Sequence, residues 1–422
     1  MVVGGGIAGI QVALDLANQD IKVHLVEKNP SIGGRMIQLD KTFPTMDCSA
    51  CVLTPKMVEA ARHENIELHT CSEVVNAEKV TGGFKATILE RARYVAADKC
   101  TGCGLCMNKC PVEVENEFDQ GLGFRKAIFF PFPQAVPLTA TIDIDNCIFC
   151  GLCAKACEAN AIDFTQKDKT YTVNVGAIVV ASGFDIFDAR KKPTYGFGSH
   201  DDIITALTME RMLSASGPTG GRVIRPSNGK IPHKVAYVQC VGSRDKTVGN
   251  VYCSRVCCMY AIKQSRMLKE RVPGVDVTIY YMDIRAFGKG YEEFFARAAE
   301  EYGVRFIKGR VGKIVPTPDT NDLLVRYEDV QRGALFQRRH DLVVLSTGLT
   351  LSDGGLLSAL RLQTDDDGFI MIKDYKLDAV SATNDGIFVA GVAEGPKDIP
   401  DTVTQASAAA MKAAIFLHGR SF

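Results

Sequence analysis

Eight cysteines in two runs constrain this chain more than any other feature: Cys100, Cys103, Cys106 and Cys110, then Cys147, Cys150, Cys153 and Cys157. Each run reads C-x-x-C-x-x-C-x-x-x-C, and Pro111 follows the first. Three closely spaced thiolates can grip three irons of one cubane, while the fourth, held apart, ligates the neighbouring cluster. The spacing therefore predicts one 4Fe–4S cluster on Cys100, Cys103, Cys106 and Cys157. It predicts a second on Cys147, Cys150, Cys153 and Cys110. Zinc also takes soft ligands in C-x-x-C pairs, but two consecutive four-cysteine runs of this spacing are unusual for it. Clusters are the preferred reading, and a chain that carries them moves electrons.

The N-terminal flank says what those electrons meet. Val2-Val3-Gly4-Gly5-Gly6-Ile7-Ala8-Gly9 places a G-x-G-x-x-G on Gly4, Gly6 and Gly9, between an apolar strand and a helix with Ile10, Leu14, Leu16 and Ala17 on its apolar side. Glycines at this spacing give a tight turn, backbone approach to a pyrophosphate and close helix–strand packing. The helix N-terminus offers amides to phosphate. A second strand, Lys22 to Val26, ends in Glu27, placed to bond a ribose hydroxyl, with Lys28 beside it. Gly33-Gly34-Arg35 follows and resembles the second phosphate and flavin contact of two-dinucleotide-binding flavoproteins. Such an extended segment suits FAD better than NAD. A structural glycine turn in an unrelated α/β unit is the plainer alternative.

Composition excludes several function classes. Lys plus Arg equal Asp plus Glu, 49 each, so nothing points to nucleic acid or an anionic membrane surface. No apolar stretch approaches the roughly 18 residues of a spanning helix, and the chain starts in a strand rather than a signal segment. Fifteen cysteines in 422 residues do not suggest a secreted disulfide scaffold, since those are short chains. Reduced thiols in a cytoplasm fit better, with Cys71 left over as a small buried hydrophobe.

The order of pieces predicts an insertion. Phe84 to Ala96 alternates like a hairpin, the cysteine runs follow around a Pro-, Phe- and Gly-rich segment from Gly121 to Pro137, and an apolar strand returns from Val175 to Gly183. The end of that strand, Ala181-Ser182-Gly183, resembles the A-T-G of flavin disulfide reductases, whose turn touches the cofactor. A ferredoxin module is thus spliced into a flavin domain at a tolerant surface loop. A second α/β unit follows, with strands Lys234 to Gln239 and Val277 to Tyr281 around a helix from Ala261 to Glu270. Where such a unit would carry a G-x-G-x-x-G for NAD(P)H, this one has Cys240-x12-Cys253-x3-Cys257-Cys258, with the adjacent pair opening the helix. A redox disulfide is one reading. Adjacent cysteines form strained disulfides and leave two thiols unexplained, so a third, irregular 4Fe–4S site is favoured.

With these motifs in place, the chain resembles the A subunits of heterodisulfide reductases over essentially its whole length. The likeness rests on Val3 to Gly9, the stretch Thr42 to Met57, both cysteine runs and Gln239 to Lys263. It implies a thioredoxin-reductase-like two-dinucleotide-binding α/β fold with an inserted two-cluster ferredoxin domain. The segments are 1–94 for the first part of the FAD domain, 95–167 for the insertion, 168–232 for the return and connection, 233–340 for the second α/β domain with its cluster, and 341–422 for the C-terminal FAD part. It implies an oxidoreductase whose flavin takes an electron pair from a donor subunit such as a hydrogenase or formate dehydrogenase. One electron goes to a heterodisulfide-reducing branch on B- and C-type subunits and the other to ferredoxin. An NAD(P)H-oxidising flavoprotein like the small subunit of glutamate synthase, or a passive wiring component, are the alternatives.

The resemblance also assigns roles. Gly386 to Val392 is similar to the glycine–aspartate motif at the flavin ribityl chain, with Val392 after Gly391 in the aspartate's place. Gln405 and Ala406 open a small-residue helix from Ser407 to Ala414; its amides could face the flavin pyrimidine, or it could be core packing. Lys263 corresponds to a lysine near flavin N5 and is the candidate catalytic residue; a solvated surface lysine is the bland alternative. Longer family members have an N-terminal domain and a further C-terminal ferredoxin domain, so this sequence reads as a fragment, an alternative start or half of a split subunit. Cys48 and Cys51 help hold a further cluster in the family with thiols from that N-terminal domain. Here they share a fourth cluster with another chain, or form a labile disulfide, or stay empty.

Overall fold

The computed structural model describes residues 1–317, 320, 322–352 and 354–419. It divides into two compact units, the first made of Met1–Ile37, Ala50–Phe184 and Leu351–Phe422, the second of Gln38–Ser49 and Asp185–Thr350.

The first unit is built on a seven-stranded sheet. Its parallel centre runs from Ile387–Val389 through Ile178–Val180 to β1 (Val2–Val3), β2 (Val23–Val26) and β3 (Ile66–His69), and two antiparallel strands, Asp378–Ala382 and Ile372–Asp374, close the other edge. The central strands Val2–Val3, Ile178–Val180 and Ile387–Val389 are wholly apolar because both faces are covered. Helix α1 (Ile7–Ala17) and the C-terminal helix Ile399–His418 share a core with Val2, Leu25, Val179 and Phe388, and alanines 406, 409, 410, 413 and 414 form the latter helix's buried stripe. Small residues allow that close helix approach. The alanines are therefore explained by packing.

A three-stranded antiparallel sheet, Ser72–Val80, Gly83–Glu90 and Lys169–Val175, carries the insertion. Lys169 lies opposite Glu90 in register, so residues 91–168 leave and return at a single point. The segment between the cysteine runs does more than connect them. Phe132 and Ala135 enter the core of the seven-stranded sheet. The Val136 amide donates to Ser31 Oγ at 2.8 Å, and its carbonyl accepts from the Ile32 amide at 3.0 Å. Buried Arg93 adds bonds to Pro30 O and Thr70 Oγ1.

The second unit has its own seven-stranded sheet, ordered Ile203–Thr205, Leu342–Thr347, Lys234–Val241, Asp276–Tyr281, Arg305–Pro316, Leu323–Asp329 and Ala334–His340. Helix Cys257–Arg271 packs on it, beginning at the adjacent cysteines as the sequence predicts. Two expectations need correction. The segment expected from 341 onward does not all belong with the flavin part: Leu342–Thr347 pairs in parallel with Lys234–Val241, Val343 opposite Ala236. Residues 38–49 also leave the first unit. The Asp40 amide donates to Glu210 Oε2, Arg211 donates to Gln38 O, and Arg271 pairs with Asp40. Such long-range polar pairing has no periodicity for sequence reading to detect.

Candidate functional site

In the first unit the glycine turn is shaped as a dinucleotide requires. Gly4 has φ +107° and a Cβ there would stand 2.2 Å from Ala181 O, while one on Gly9 would stand 1.8 Å from Gly4 O. Helix α1 thus packs directly on the turn. Gly6 is different, for its only neighbour within 4 Å would be Gly34 Cα at 3.9 Å. The front of the turn is open there. Helix α1, with Gly6 at its N-cap, has no side-chain cap and no acidic residue in its first turn, so its first amides stay available to an anion.

Other expected contacts converge on this point. Gly34, at φ +55°, closes on the first turn; a Cβ on it would meet Gly6 Cα at 2.8 Å. Glu27 is buried at the end of β2, accepting from the Gly5 amide at 2.7 Å and from the Asn29 amide and side chain at 2.8 and 2.6 Å. Burial pushes its carboxyl upward, opposed by those donors. Ser182 Oγ is buried without a hydrogen-bond partner, an orphan that a bound cofactor would satisfy. Gly391 reaches the same place, since a Cβ on it would meet Ala8 Cβ at 3.0 Å. An uncapped helix start, an orphan hydroxyl and a space kept clear of Cβ atoms fit a bound dinucleotide.

Several of the expected cofactor residues also have partners within the fold. Gln405 turns inward, accepting from the Gly391 amide at 2.9 Å and donating to Ala379 O at 3.1 Å, so it braces the loop. Ala406 and Val392 are buried. Lys28 Nζ stands 3.4 Å from Ser352 Oγ. Sequence reasoning missed Lys397, which is buried with Nζ 2.7 Å from Gly391 O and 2.8 Å from Glu394 Oε2. A Gly-Pro-Lys triplet reads as an exposed turn, and only the fold shows it otherwise.

The insertion repeats one device twice. Short helices Leu105–Lys109 and Leu152–Ala156 each start after a left-handed glycine, Gly104 at φ +77° and Gly151 at φ +71°. Cys106 and Cys153 are buried, and Cys100, Cys110, Cys147 and Cys157 pack around the same small core. A cavity is lined by Cys110, Cys147, Cys150 and Cys153 with Ile128 and Ile142. Cys110 therefore lies beside three cysteines of the second run. Burial, then repulsion from Cys147, Cys110 and Cys150, pushes the Cys153 thiol up; burial with Cys100 and Cys103 nearby holds Cys106 at about 11. Amides of Phe149 and Ala161 donate to Cys147 and Cys157 sulfurs at 3.4 and 3.3 Å, bonds of the kind that tune a cluster's potential.

The third set gathers at the end of strand Lys234–Val241. Cys240, at φ +60°, follows that strand's core residues, and Cys257 and Cys258 start the helix. Burial and then Cys258 and Cys253 push Cys240 up to about 12; burial, Cys240, Cys258 and Cys253 push Cys257 well up. All four are free thiols, so the redox-disulfide alternative is not what the structure holds. Arg255 N–H donates to Cys253 Sγ at 3.3 Å, and Tyr260 lies between Cys257 and Thr347 O, 2.8 Å from the latter.

Sulfur spacing separates zinc from larger groups. A tetrahedral zinc with Zn–S bonds of about 2.3 Å needs sulfurs about 3.8 Å apart. Among the described residues no three cysteine sulfurs lie within 4.8 Å of one another. As placed, none of these thiol sets has the sulfur spacing of a single zinc site.

Two further expectations resolve. Lys263 is not a solvated surface lysine: it is 1% exposed, with Nζ 2.6 Å from Glu210 Oε1 and 2.7 Å from Lys41 O. Cys48 and Cys51 are disulfide-bonded. This is the disulfide alternative of the sequence reading; the two sulfurs become cluster ligands only after reduction. Cys71 is buried and free, as a small hydrophobe would be.

Comparison with known proteins gives concordant findings. The model of the 4Fe-4S dicluster domain matches residues 99–162, and that of the NAD(P)-binding Rossmann-like domain matches residues 2–55. The A subunit of the H(2):CoB-CoM heterodisulfide,ferredoxin reductase of Methanothermobacter thermautotrophicus is 52% identical over 417 residues, covering 98% of this chain and 63% of the relative. The iron-sulfur A subunit of the CoB--CoM heterodisulfide reductase of Methanocaldococcus jannaschii is 54% identical over 417 residues, covering 98% and 64%. The chain thus spans less than two thirds of the length of these relatives. Thioredoxin reductase of T. acidophilum aligns over 100% of this chain and 97% of its own with a TM-score of 0.55 at 14% identity. That of Lactococcus lactis aligns over 99% and 98%, also at 0.55 and 14%. Such identities establish the fold and no more, a thioredoxin-reductase-like α/β fold. No helix among the described residues is long and apolar enough to cross a membrane.

Proposed function

Since this chain belongs to the family of heterodisulfide reductase A subunits, we propose that it is an FAD- and iron–sulfur-bearing oxidoreductase component that distributes electrons within a larger complex. The observation that carries this reading is the joining, in one chain, of an open dinucleotide turn at Gly6 with three separate sets of four free thiols. No triad or base–nucleophile pair takes part in the proposal; the redox chemistry is that of the cofactors.

The residues divide the work. Gly4, Gly6, Gly9 and Gly34 keep Cβ atoms out of the phosphate path, Glu27 addresses the ribose, and Ser182, Gly183 and the Gly391–Val392 loop face the rest of the flavin, with Arg35 and Lys28 at the phosphates. Cys100, Cys103, Cys106 and Cys157 hold one cluster, Cys147, Cys150, Cys153 and Cys110 a second, and Cys240, Cys253, Cys257 and Cys258 a third. When bound, FAD exchanges electrons in pairs or singly, which lets one donor serve two acceptors. From the resemblance, Lys263 is the cation assigned to the flavin's reactive edge, and Cys48 and Cys51, once reduced, are the assigned half of a fourth cluster site. The donor subunit, ferredoxin and a branch reducing a CoM-S-S-CoB-type disulfide to two thiols, with two electrons and two protons, complete a cytoplasmic system that bifurcates electrons.

The NAD(P)H-oxidising alternative is disfavoured by Cys240 and Gly242 standing where a second glycine-rich nucleotide turn would be. The test is anaerobic reconstitution of the chain, followed by metal and flavin analysis. One FAD and about twelve irons per chain are expected from three cubanes. Zinc in comparable amount to iron, or flavin bleaching by NAD(P)H alone, would overturn the reading.

A further inference from the structure

At the outer edge of the first sheet, away from every cysteine set in sequence, three metal-ligating side chains converge. Strand β3 is the edge strand, paired in parallel with β2 so that His24 lies opposite Glu67 and Val26 opposite His69. Side chains two apart on a strand share a face, which puts His24, Glu67 and His69 on one face across two strands. His24 Nδ1 is 3.1 Å from His69 Nε2 and 3.2 Å from Glu67 Oε2, and His69 Nε2 is 3.5 Å from Glu67 Oε1.

We propose that His24, His69 and Glu67 form a binding site for a divalent transition cation of the zinc class. Zinc–nitrogen and zinc–oxygen bonds of about 2.0–2.2 Å put tetrahedral ligands about 3.3–3.5 Å apart; the two ring nitrogens and one or other Glu67 oxygen stand 3.1–3.5 Å apart, and one ligand atom from each of the three lies within 4.8 Å of the others. Two imidazoles with one carboxylate select zinc-like ions over calcium or magnesium, which prefer oxygen. The rings are pre-placed, with His69's side chain only 10% exposed and His24's 25%, whereas Glu67's is 67% exposed and can swing onto an ion. Tyr171, from the antiparallel sheet, supplies an outer partner: its hydroxyl is 2.8 Å from His69 Nδ1. An acceptor on the far nitrogen fixes the tautomer that leaves Nε2 free to ligate. Burial also keeps both imidazoles on the neutral side at ordinary pH, the form that binds metal. Three protein ligands leave one position open to solvent beside Glu67. The ion would tie the edge strand to its neighbour and, through Tyr171, to the sheet that carries the cluster insertion.

The test uses the full chain with its clusters reconstituted, so that cysteines do not compete, dialysed anaerobically against buffered micromolar Zn2+. Expected are one zinc per chain, zinc-edge X-ray absorption with nitrogen and oxygen neighbours only, and a higher melting temperature than without zinc. Tyr171→Phe should weaken zinc binding about 10–100-fold. His24→Gln and His69→Gln should lose the zinc while iron is unchanged. Glu67→Gln, at an exposed position that folding does not need, should weaken it as well. No zinc on the wild-type chain, sulfur neighbours in the absorption spectrum, or equal zinc on all variants would each overturn the site and leave a plain hydrogen-bonded histidine pair.

Discussion

The cysteines of the insertion and those of the second unit hold metal-ligating thiols in opposite ways. In the insertion the ligands are close in sequence, and the protein around them is slight: five-residue helices, two- and three-residue strands, and a buried core of seven residues, two of which are Cys106 and Cys153 themselves. In the second unit the thiols sit at the end of a seven-stranded sheet with its own large core, Tyr237, Tyr280 and Phe294 among its fully buried side chains. In the first region, so small a core around the cysteines is expected to draw much of its order from bound metal, as small metal domains do. The second is a scaffold that would stand without it.

Removing iron should therefore break the two regions apart. With an anaerobic chelator, hydrogen exchange should rise sharply across the cysteine runs, residues 99–110 and 147–157, while the strands Lys234–Val241 and Leu342–Thr347 keep their protection. Equal loss of protection in both would refute the contrast. Cys257→Ser sharpens it: about four of twelve irons should be lost, with the insertion's exchange pattern and flavin content unchanged.

Next in size is the buried ion pair of the second unit. Lys263→Met would leave Glu210, 2% exposed, without its cation. Breaking such a pair costs about 3–5 kcal/mol. Glu210 Oε1 also accepts from Gln264 at 2.6 Å and Oε2 from the Asp40 amide, so the lost charge strands a network. Chemical unfolding should show the large cost, and Lys263→Met with Glu210→Gln should recover part of it. Single and double variants of equal stability would show that the pair does not hold this unit together.

What the sequence showed and what it hid follow from the same contrast. The cysteine runs, the glycine turn and the strand–helix–strand pattern are local, so residue spacing alone predicts the crossing of Cys110 and the opening of a helix at Cys257. Gln38–Ser49 in the second unit, Leu342–Thr347 in the second sheet, and Lys397 under Gly391 were hidden. Each is set by partners far away in sequence or by burial of a charge, neither of which leaves a period. Val175–Gly183 shows the intermediate case: one apolar run splits at Gly176 between two sheets, because Lys169–Val175 pairs with Gly83–Glu90 and Ile178–Val180 with β1.

A smaller effect tests the second unit by pH. His340 is buried with Nε2 3.0 Å from the Tyr280 hydroxyl, and its Nδ1 has no partner. Burial and then Arg338 hold its pKa down at about 3, against 6.5 ordinarily. The folded imidazole refuses a proton that the unfolded one accepts. Its contribution is intact above pH 6.5 and is lost as pH falls toward 3, by up to about 1.4 kcal/mol per pH unit. Between pH 6.5 and 5, denaturation midpoints of this unit should fall, and His340→Gln should flatten that slope. An identical slope in the variant would assign the pH dependence to other groups.

The smallest expected effect lies between the two runs of the insertion. At the third position of each, the first run has Gly102 at φ +71° and the second has Phe149 at φ +54°. A left-handed conformation costs a side chain roughly 1–2 kcal/mol, so only the second run bears that strain. Phe149 is 60% exposed, yet its ring lies 5.8 Å from that of Phe164, a contact worth about 0.5–1.5 kcal/mol. The two terms nearly cancel. Phe149→Gly should change the chelator concentration at half cluster loss little, whereas Gly102→Ala adds strain with nothing gained. Its new Cβ would also meet the Leu138 side chain at 2.8 Å, so its cluster should be lost more readily than in the wild type. If Phe149→Gly proves the more damaging change, the aromatic contact outweighs backbone strain and the two runs are less alike than their spacing makes them.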